Sequence, residues 1–318
     1  MRGRYATPVA ERFDLLVLGD ANPDLILGVE TAPAFGQVET IVQETALVLG
    51  GSGAILASGA ARLGLSVAIA GVIGDDLFGA FVRRSIEDEG IDTRSLRVDG
   101  NRPTGLSVIL ARPDDRAILT STGTIADLRR SSIDNELVDS ARHVHVSSYF
   151  MQRALQRDLP ALFDAAHARG ATTSIDPNWD PDEHWDSGLI ELLDRTDVFF
   201  PNAVEARLTT GIDDVEGAAK ALAEHATAVA VKLGTDGGFA VDGDAVVRSE
   251  SVPSKVVDTI GAGDSFDAGF LAGQLLGWPL ERCLQLAVAC GSMSTTAAGG
   301  TGAQPTLDQA IGAMPSST

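Results

Sequence analysis

The stretch Asp258-Thr259-Ile260-Gly261-Ala262-Gly263-Asp264-Ser265-Phe266, followed at once by the amphipathic apolar run Ala268 to Leu276, decides how this chain is read. Two glycines one residue apart, just ahead of a helix, let the backbone turn tightly and present successive N–H groups to a ligand. The helix start adds unpaired amide donors and the positive end of its dipole, so the turn suits an anion. Asp264 is the odd residue there, because a carboxylate repels the anion that the amides attract. A proton acceptor fits the position: in phosphoryl transfer a carboxylate beside the phosphate takes the proton of the attacking hydroxyl, while amides and metal stabilise the charge. Asp is also a common helix cap, and the stretch alone leaves both readings open.

Working outward, short apolar runs alternate with helical patterns. Residues 13–18, 67–73, 143–147, 172–175, 198–200 and 229–233 read as buried strands, and 54–63, 78–89, 155–169 and 215–225 as helices, several ending at glycine. The alternation predicts an α/β fold with a mostly parallel central sheet covered by helices on both faces, spanning 1–318 as one domain. Two segments, about 25–48 and 103–120, are β-rich with no strong helix between their strands, and predict a small sheet outside the core.

Asp258 to Phe266 resembles the signature of the ribokinase-like (PfkB) carbohydrate kinases, Asp-Thr-x-Gly-Ala-Gly-Asp-x-Phe, and the resemblance runs in order from Gly19 to Pro305. It implies a three-layer αβα core, with the two β-rich segments as a lid over the sugar that often doubles as a homodimer contact. It further implies Asp264 as the catalytic base, with the amides of Gly261, Ala262 and Gly263 holding the phosphoryl.

The remaining motifs gain meaning from that resemblance. Asn22 and Asp24 follow the first strand, where open α/β sheets place ligands; as residues alone they are an ordinary polar turn, and the resemblance makes them sugar ligands. Gly50-Gly51-Ser52-Gly53 resembles the family's glycine-rich sugar signature. The spacing Gly51-x-Gly53, with Asp75 downstream, also imitates a dinucleotide fingerprint, although it lies after about fifty residues rather than in a first βαβ unit. Ile55 stands where relatives often have Asn, and Tyr149-Phe150-Met151 where a sugar-binding Glu is common. Both changes make the pocket less polar and favour a deoxy, keto or modified sugar, or a nucleoside.

Asn202 and Glu205 form a capping-box pattern and resemble the family's Asn-x-x-Glu motif, which organises Mg²⁺ through water. Asp176-Pro177-Asn178 is equally a turn or part of the phosphate route. Lys232 and Gly234 resemble the segment that approaches the nucleotide, although a strand-end lysine is usually just solvated. Asp258, Ile260, Ala297, Gly300, Gly302 and Thr306 correspond to a monovalent cation site, K⁺ in some relatives. Gly302-Ala303-Gln304-Pro305 matches the last landmark, and Cys290 stands where several ribokinases carry an Asn near the nucleotide.

Composition narrows the partners. Lysine and arginine number 24 against 44 acidic residues, a net charge of −20, so nucleic acid and anionic membranes are not expected partners. An anionic ligand must then be held by local amides, a few cations and metal. Cys283 and Cys290, seven apart in a helical stretch, read as buried free thiols. The N-terminus has arginines but no apolar segment, and no apolar run reaches ~18 residues, which predicts a cytoplasmic setting. His143-x-His145 lacks a third ligand and reads as structural. There is no Walker loop, no Gly-x-Ser-x-Gly elbow and no Cys-x-x-Cys pair. The expected activity is transfer of the ATP γ-phosphate to a primary hydroxyl of a small sugar, with a nucleoside kinase of the same fold as the alternative. A nucleotide-cofactor oxidoreductase or a silent ligand-binding relative follow behind.

Overall fold

The computed structural model describes residues 12–30, 32–112 and 116–315. The chain begins β1 (Leu15–Leu18), β2 (Asn22–Gly28), β3 (Glu44–Gly50), α1 (Ser52–Arg62), β4 (Val67–Gly74), α2 (Leu77–Asp88) and β5 (Asp92–Asp99). Then come β6 (Leu106–Ala111), β7 (Arg116–Ser121), α3 (Asn135–Ser140), β8 (His143–Val146), α4 (Leu159–His167), β9 (Thr172–Ile175) and α5 (Leu189–Leu193). The chain continues with β10 (Val198–Phe199), α6 (Ala203–Thr210), α7 (Val215–Leu222), β11 (Ala228–Lys232), β12 (Gly238–Asp242) and β13 (Ala245–Ser249). It closes with α8 (Ala262–Leu275), α9 (Leu280–Ser294) and α10 (Leu307–Ala313).

The large sheet runs β13-β12-β11-β10-β9-β8-β1-β4-β5. It is parallel from β11 to β5, and the edge strands β12 and β13, which the sequence reading did not anticipate, add antiparallel as β11–β12 and β12–β13. Its strands are short apolar runs because both faces are covered. Leu15 and Val17 point into one core with α1, α8 and α9, while Leu16 and Leu18 point into the other with α4 and α7. From β1 the chain moves outward to β4 and β5, and from β8 it moves the other way. The switch point between β1 and β8 opens the crevice where such sheets take ligands.

The two β-rich segments form the second sheet, β3-β2-β6-β7, with β2–β6 parallel and its other pairs antiparallel. Residues 31 and 113–115 of those segments lie outside the described residues, as do the N-terminal positions up to 11. Ile26 and Ile109 of this lid pack on Ile55 of α1 and on Ile260, so an apolar knot ties the lid to the turn before α8. Its other side exposes Leu119, while Ile118, paired with Ile109, is exposed on the side that carries the knot.

Two expectations are corrected. The helix expected over 155–169 is a 3-10 turn, Gln156–Asp158, followed by α4, which starts at Leu159 with a proline in its first turn. The run Ala268 to Leu276 is not amphipathic in place: α8 is buried continuously from Ser265 to Gly273, between the sheet and α9. That fit depends on Gly269, where an added Cβ would lie 2.9 Å from Ala287 Cα and 3.0 Å from Cys290 Sγ. Cys290 is therefore a core residue, its thiol pushed up to about 12 by burial, and it does not face the crevice. Gly269→Val is expected to cost about 1–3 kcal/mol by overpacking, lowering the melting temperature by about 1.5–5 °C in thermal denaturation. An unchanged melting temperature would show that α8 and α9 can move apart.

Candidate active site

The crevice is a cavity of about 1200 Å³ bounded by the C-terminal ends of β1, β8, β9 and β11, the start of α8 and the lid. At its floor, Gly261 takes a left-handed φ of 71° as the residue before α8, and no side chain caps that helix. A Cβ there would approach Gly300 Cα to 2.6 Å and Ile55 Cγ2 to 2.9 Å, so only glycine fits. The Ala262 amide makes a long bond to Thr259 O at 3.4 Å, the Gly263 and Asp264 amides are left to a ligand, and Gly261 to Asp264 line the cavity.

Asp264 stands in the first turn of α8. Burial and then the negative charge of Asp176 push its carboxyl well above the usual range, while Lys232 and the Ser52 hydroxyl pull it back. Lys232, expected by resemblance beside the nucleotide, lines the cavity and is not a solvated strand-end lysine. Its side chain is only 12% exposed, and its Nζ bonds Asp176 Oδ2 at 2.5 Å and Asp267 Oδ2 at 3.1 Å. Burial alone would lower the ammonium, but Asp176, Asp267 and Glu205 outweigh it and hold it charged. A Cβ at Gly263 would come within 3.6 Å of that Nζ, so the cation lies directly beneath the anion turn. The sequence reading missed Asp267; its signal was its place one helical turn after Asp264.

Opposite the turn, Asp20 caps α1, its two oxygens accepting the Ser52 and Gly53 amides at 3.2 Å each. Asn22 Nδ2 donates to Asp24 Oδ1 at 3.2 Å. Burial, then Asp20 and Asp258, push Asp24 up to about 7. Gly50 does not line the cavity; a Cβ there would stand 2.2 Å from the Asp24 carboxyl, so it makes room for Asp24. Gly51 and Ser52 do line it. Asn178 Nδ2 reaches Ser52 Oγ at 3.3 Å and Ser148 Oγ at 3.1 Å, closing the wall between β8 and α1. Ile55 lines the cavity as expected, but Tyr149 and Phe150 are core residues, and of that trio only Met151 faces the crevice. Phe150 instead packs edge-on against Tyr149 and Trp185.

Asn202 and Glu205 complete a capping box at α6 and also line the cavity. Asn202 Oδ1 accepts the Val204 and Glu205 amides, and Glu205 Oε2 accepts the Asn202 amide at 2.8 Å. Burial and Asp176 push Glu205 up to about 7 against the pull of Lys232. Gly234, Thr235, Val252, Pro253, Val256 and Ser292 form the end of the cavity away from the lid. Asp258 Oδ1 accepts the Ile260 amide at 3.0 Å and Oδ2 the Gly299 amide at 2.9 Å, while Arg116 Nη1 of the lid stands 3.6 Å from Oδ1. Gly300 packs against Gly261, and Gly302 sits over the Ala297 side chain. Thr306 is spent as the cap of α10, in a capping box with Gln309. Gln304 donates to Ile55 O at 2.9 Å and Ser265 Oγ at 3.0 Å, stapling α1 to α8.

Asp75 stands clear of the cavity, and Gly51 follows a lid strand rather than a core strand, so the dinucleotide fingerprint has no structural counterpart. His143 bonds Thr172 and Ser174, and His145 bonds Ser174; burial pushes them down to about 4 and about 3, so both are neutral core residues. Among the described residues no group of three His, Cys, Asp or Glu side chains forms a ready metal cage, and no helix is long and apolar enough to cross a membrane.

Comparison with known proteins agrees with this geometry. The model of the pfkB family carbohydrate kinases matches residues 12–307. The chain is 32% identical over 237 residues to an uncharacterized sugar kinase from Archaeoglobus fulgidus, covering 72% of this chain and 90% of that protein. It is 33% identical over 274 residues to a fructokinase from Klebsiella pneumoniae, covering 81% and 89%. The solved ribokinase of Arabidopsis thaliana, complexed with ribose and ATP, superposes with a TM-score of 0.81 at 25% identity, covering 96% of this chain and all of that one.

Because the positive charge of Lys232 lowers Asp264, Lys232→Met is expected to raise the Asp264 carboxyl further. A base must be deprotonated to act, so the acid limb of the kcat/KM profile should move to higher pH, readable in a pH–rate series. An unmoved limb would detach Lys232 from Asp264.

Proposed function

The chain belongs to the pfkB family of carbohydrate kinases, and we propose the following division of labour for its ATP-dependent phosphoryl transfer to a sugar hydroxyl. The acceptor lies under the lid against Asn22, Asp24, Gly51 and Ser52, its primary hydroxyl directed at Asp264. Asp264 takes the hydroxyl proton as the O–P bond forms, and the amides of Gly261, Ala262, Gly263 and Asp264 meet the charge of the transferring phosphoryl. The observation that carries this reading is the uncapped start of α8, with a carboxyl of raised proton affinity beside its amides and a held cation beneath them.

ATP lies along the other end of the cavity, its base between Val252, Pro253 and Val256 and its phosphates passing Gly234 and Lys232 toward the turn. Mg²⁺ would neutralise the phosphates and polarise the transferring group. Asn202 and Glu205 would hold it through water, which fits side chains that have already given an oxygen to their own capping box. The substrate end is amphipathic. Asn22, Asp24, Ser107 and Asn178 form its polar edge, and Ile55, Met151 and Trp179 its apolar one, so an acceptor with a deoxygenated face, or a nucleoside, suits it.

At the expected monovalent cation site Arg116 Nη1 already brings a positive charge to 3.6 Å from Asp258 Oδ1, which opposes a second cation there. No step is assigned to K⁺.

Asp264→Asn should keep the fold and nucleotide binding and cut turnover by roughly 10²-fold or more, in an ADP-release assay with Mg-ATP against pentoses, hexoses, keto-deoxy acids and nucleosides. Near-normal turnover in that variant would remove the base assignment. The same assay at equal ionic strength is expected to give equal rates in potassium and tetramethylammonium chloride. Potassium activation would restore the ion to the Asp258 site.

A further inference from the structure

Asp267 lies on the face of α8 that carries Asp264 and is completely buried. Its Oδ2 accepts from Lys232 Nζ at 3.1 Å across 35 residues of sequence, while its Oδ1 has no hydrogen-bond partner. Asp176, which ends β9, holds the same ammonium at 2.5 Å. Two carboxyls on one buried ammonium, with one oxygen left unpaired, is a costly arrangement for stability alone; an apolar trio of similar volume would be no worse.

The cost is explained by what surrounds the lysine. Its stem is flexible, and two further carboxyls, those of Asp264 and Glu205, act on the same charge. An unclamped ammonium would settle on Asp264 and quench the base. Held from β9 and from the buried side of α8, it stays beneath Gly263, close enough for its charge to reach an anion on the turn.

We propose that Asp267 is a positioning residue for phosphoryl transfer: together with Asp176 it fixes the Lys232 ammonium beneath the Gly261 to Asp264 turn, where that charge stabilises the transferring phosphoryl. This rests on the kinase reading above. It assigns to a residue outside the cavity wall a share in kcat that it exerts only through Lys232.

The experiment is a kinetic double-mutant cycle on the full-length enzyme, with Asp267→Ala, Lys232→Met and the two combined, and Asp267→Asn as the conservative variant. Asp267→Ala is expected to lower kcat about tenfold or more with acceptor KM nearly unchanged, because the interaction matters most in the transition state. The double variant should be no slower than Lys232→Met alone, and Asn, which keeps an oxygen for the ammonium, should recover most of the loss. Losses that multiply in the double variant, a wild-type rate for Asp267→Ala, or Asn as slow as Ala would each overturn the proposal. If Asp267→Ala does not fold, the cycle with Asp267→Leu, which keeps a branched side chain without its oxygens, reads the same coupling. Absence of turnover in the unsubstituted enzyme would count against the kinase reading instead, and the cycle measured as Mg-ATP affinity by calorimetry would then decide the clamp.

Discussion

One buried ammonium governs this site. A chain with a net charge of −20 has to bring a polyanion to a carboxylate, and Coulomb repulsion opposes every step of that approach. The remedy is local: the uncapped start of α8 offers amide dipoles, and Lys232 supplies a full charge from below. The lysine stays charged in a dry place because Asp176 and Asp267 grip it, and the charge of Asp176 raises the proton affinity of Asp264 and Glu205 nearby. Base strength, anion binding and helix position are thus one coupled electrostatic problem.

Packing serves the same end. Gly269 lets α9 close on α8, Gln304 staples α8 to α1, and Asp20 caps α1, so the two helix starts that face each other across the cavity are set by the core rather than by the loops. The isoleucine knot of Ile26, Ile55, Ile109 and Ile260 then links the lid to the turn itself. A lid movement would therefore be felt at the first amides of α8. This gives Ile55 a packing reason to be apolar beside its effect on the substrate end.

Much of this was legible in the sequence because buried parallel strands read as plain apolar runs. Residues 67–73, 143–147 and 172–175 correspond to β4, β8 and β9, and the two β-rich segments are the lid strands. The signature at Asp258 to Phe266 located the uncapped turn before α8, since Gly261 at a φ of 71° occupies a position that only glycine fits. What escaped was decided by distant partners or by the phase of an element. The resemblance set Lys232 beside the nucleotide, but the clamp that buries it is formed by Asp176 after β9 and Asp267 on α8, both distant in sequence, and Asp267 belongs to no motif read there. Phe150 reads as a pocket residue, but a 3-10 turn sends it inward against Trp185; Cys290 is the buried thiol that its apolar helical stretch suggests, and the phase of α9 aims it at Gly269. A local sequence pattern does not carry such rotations.

The central claim is that the turn before α8 delivers the γ-phosphoryl of ATP to a sugar hydroxyl rather than to water. Phosphorus-31 NMR of the purified protein with Mg-ATP and an acceptor reads this directly. The account predicts ADP and a new phosphomonoester appearing in equal amounts, with no ADP formed when the acceptor is omitted. ADP accompanied only by inorganic phosphate, or unchanged ATP with every sugar and nucleoside offered, would contradict it.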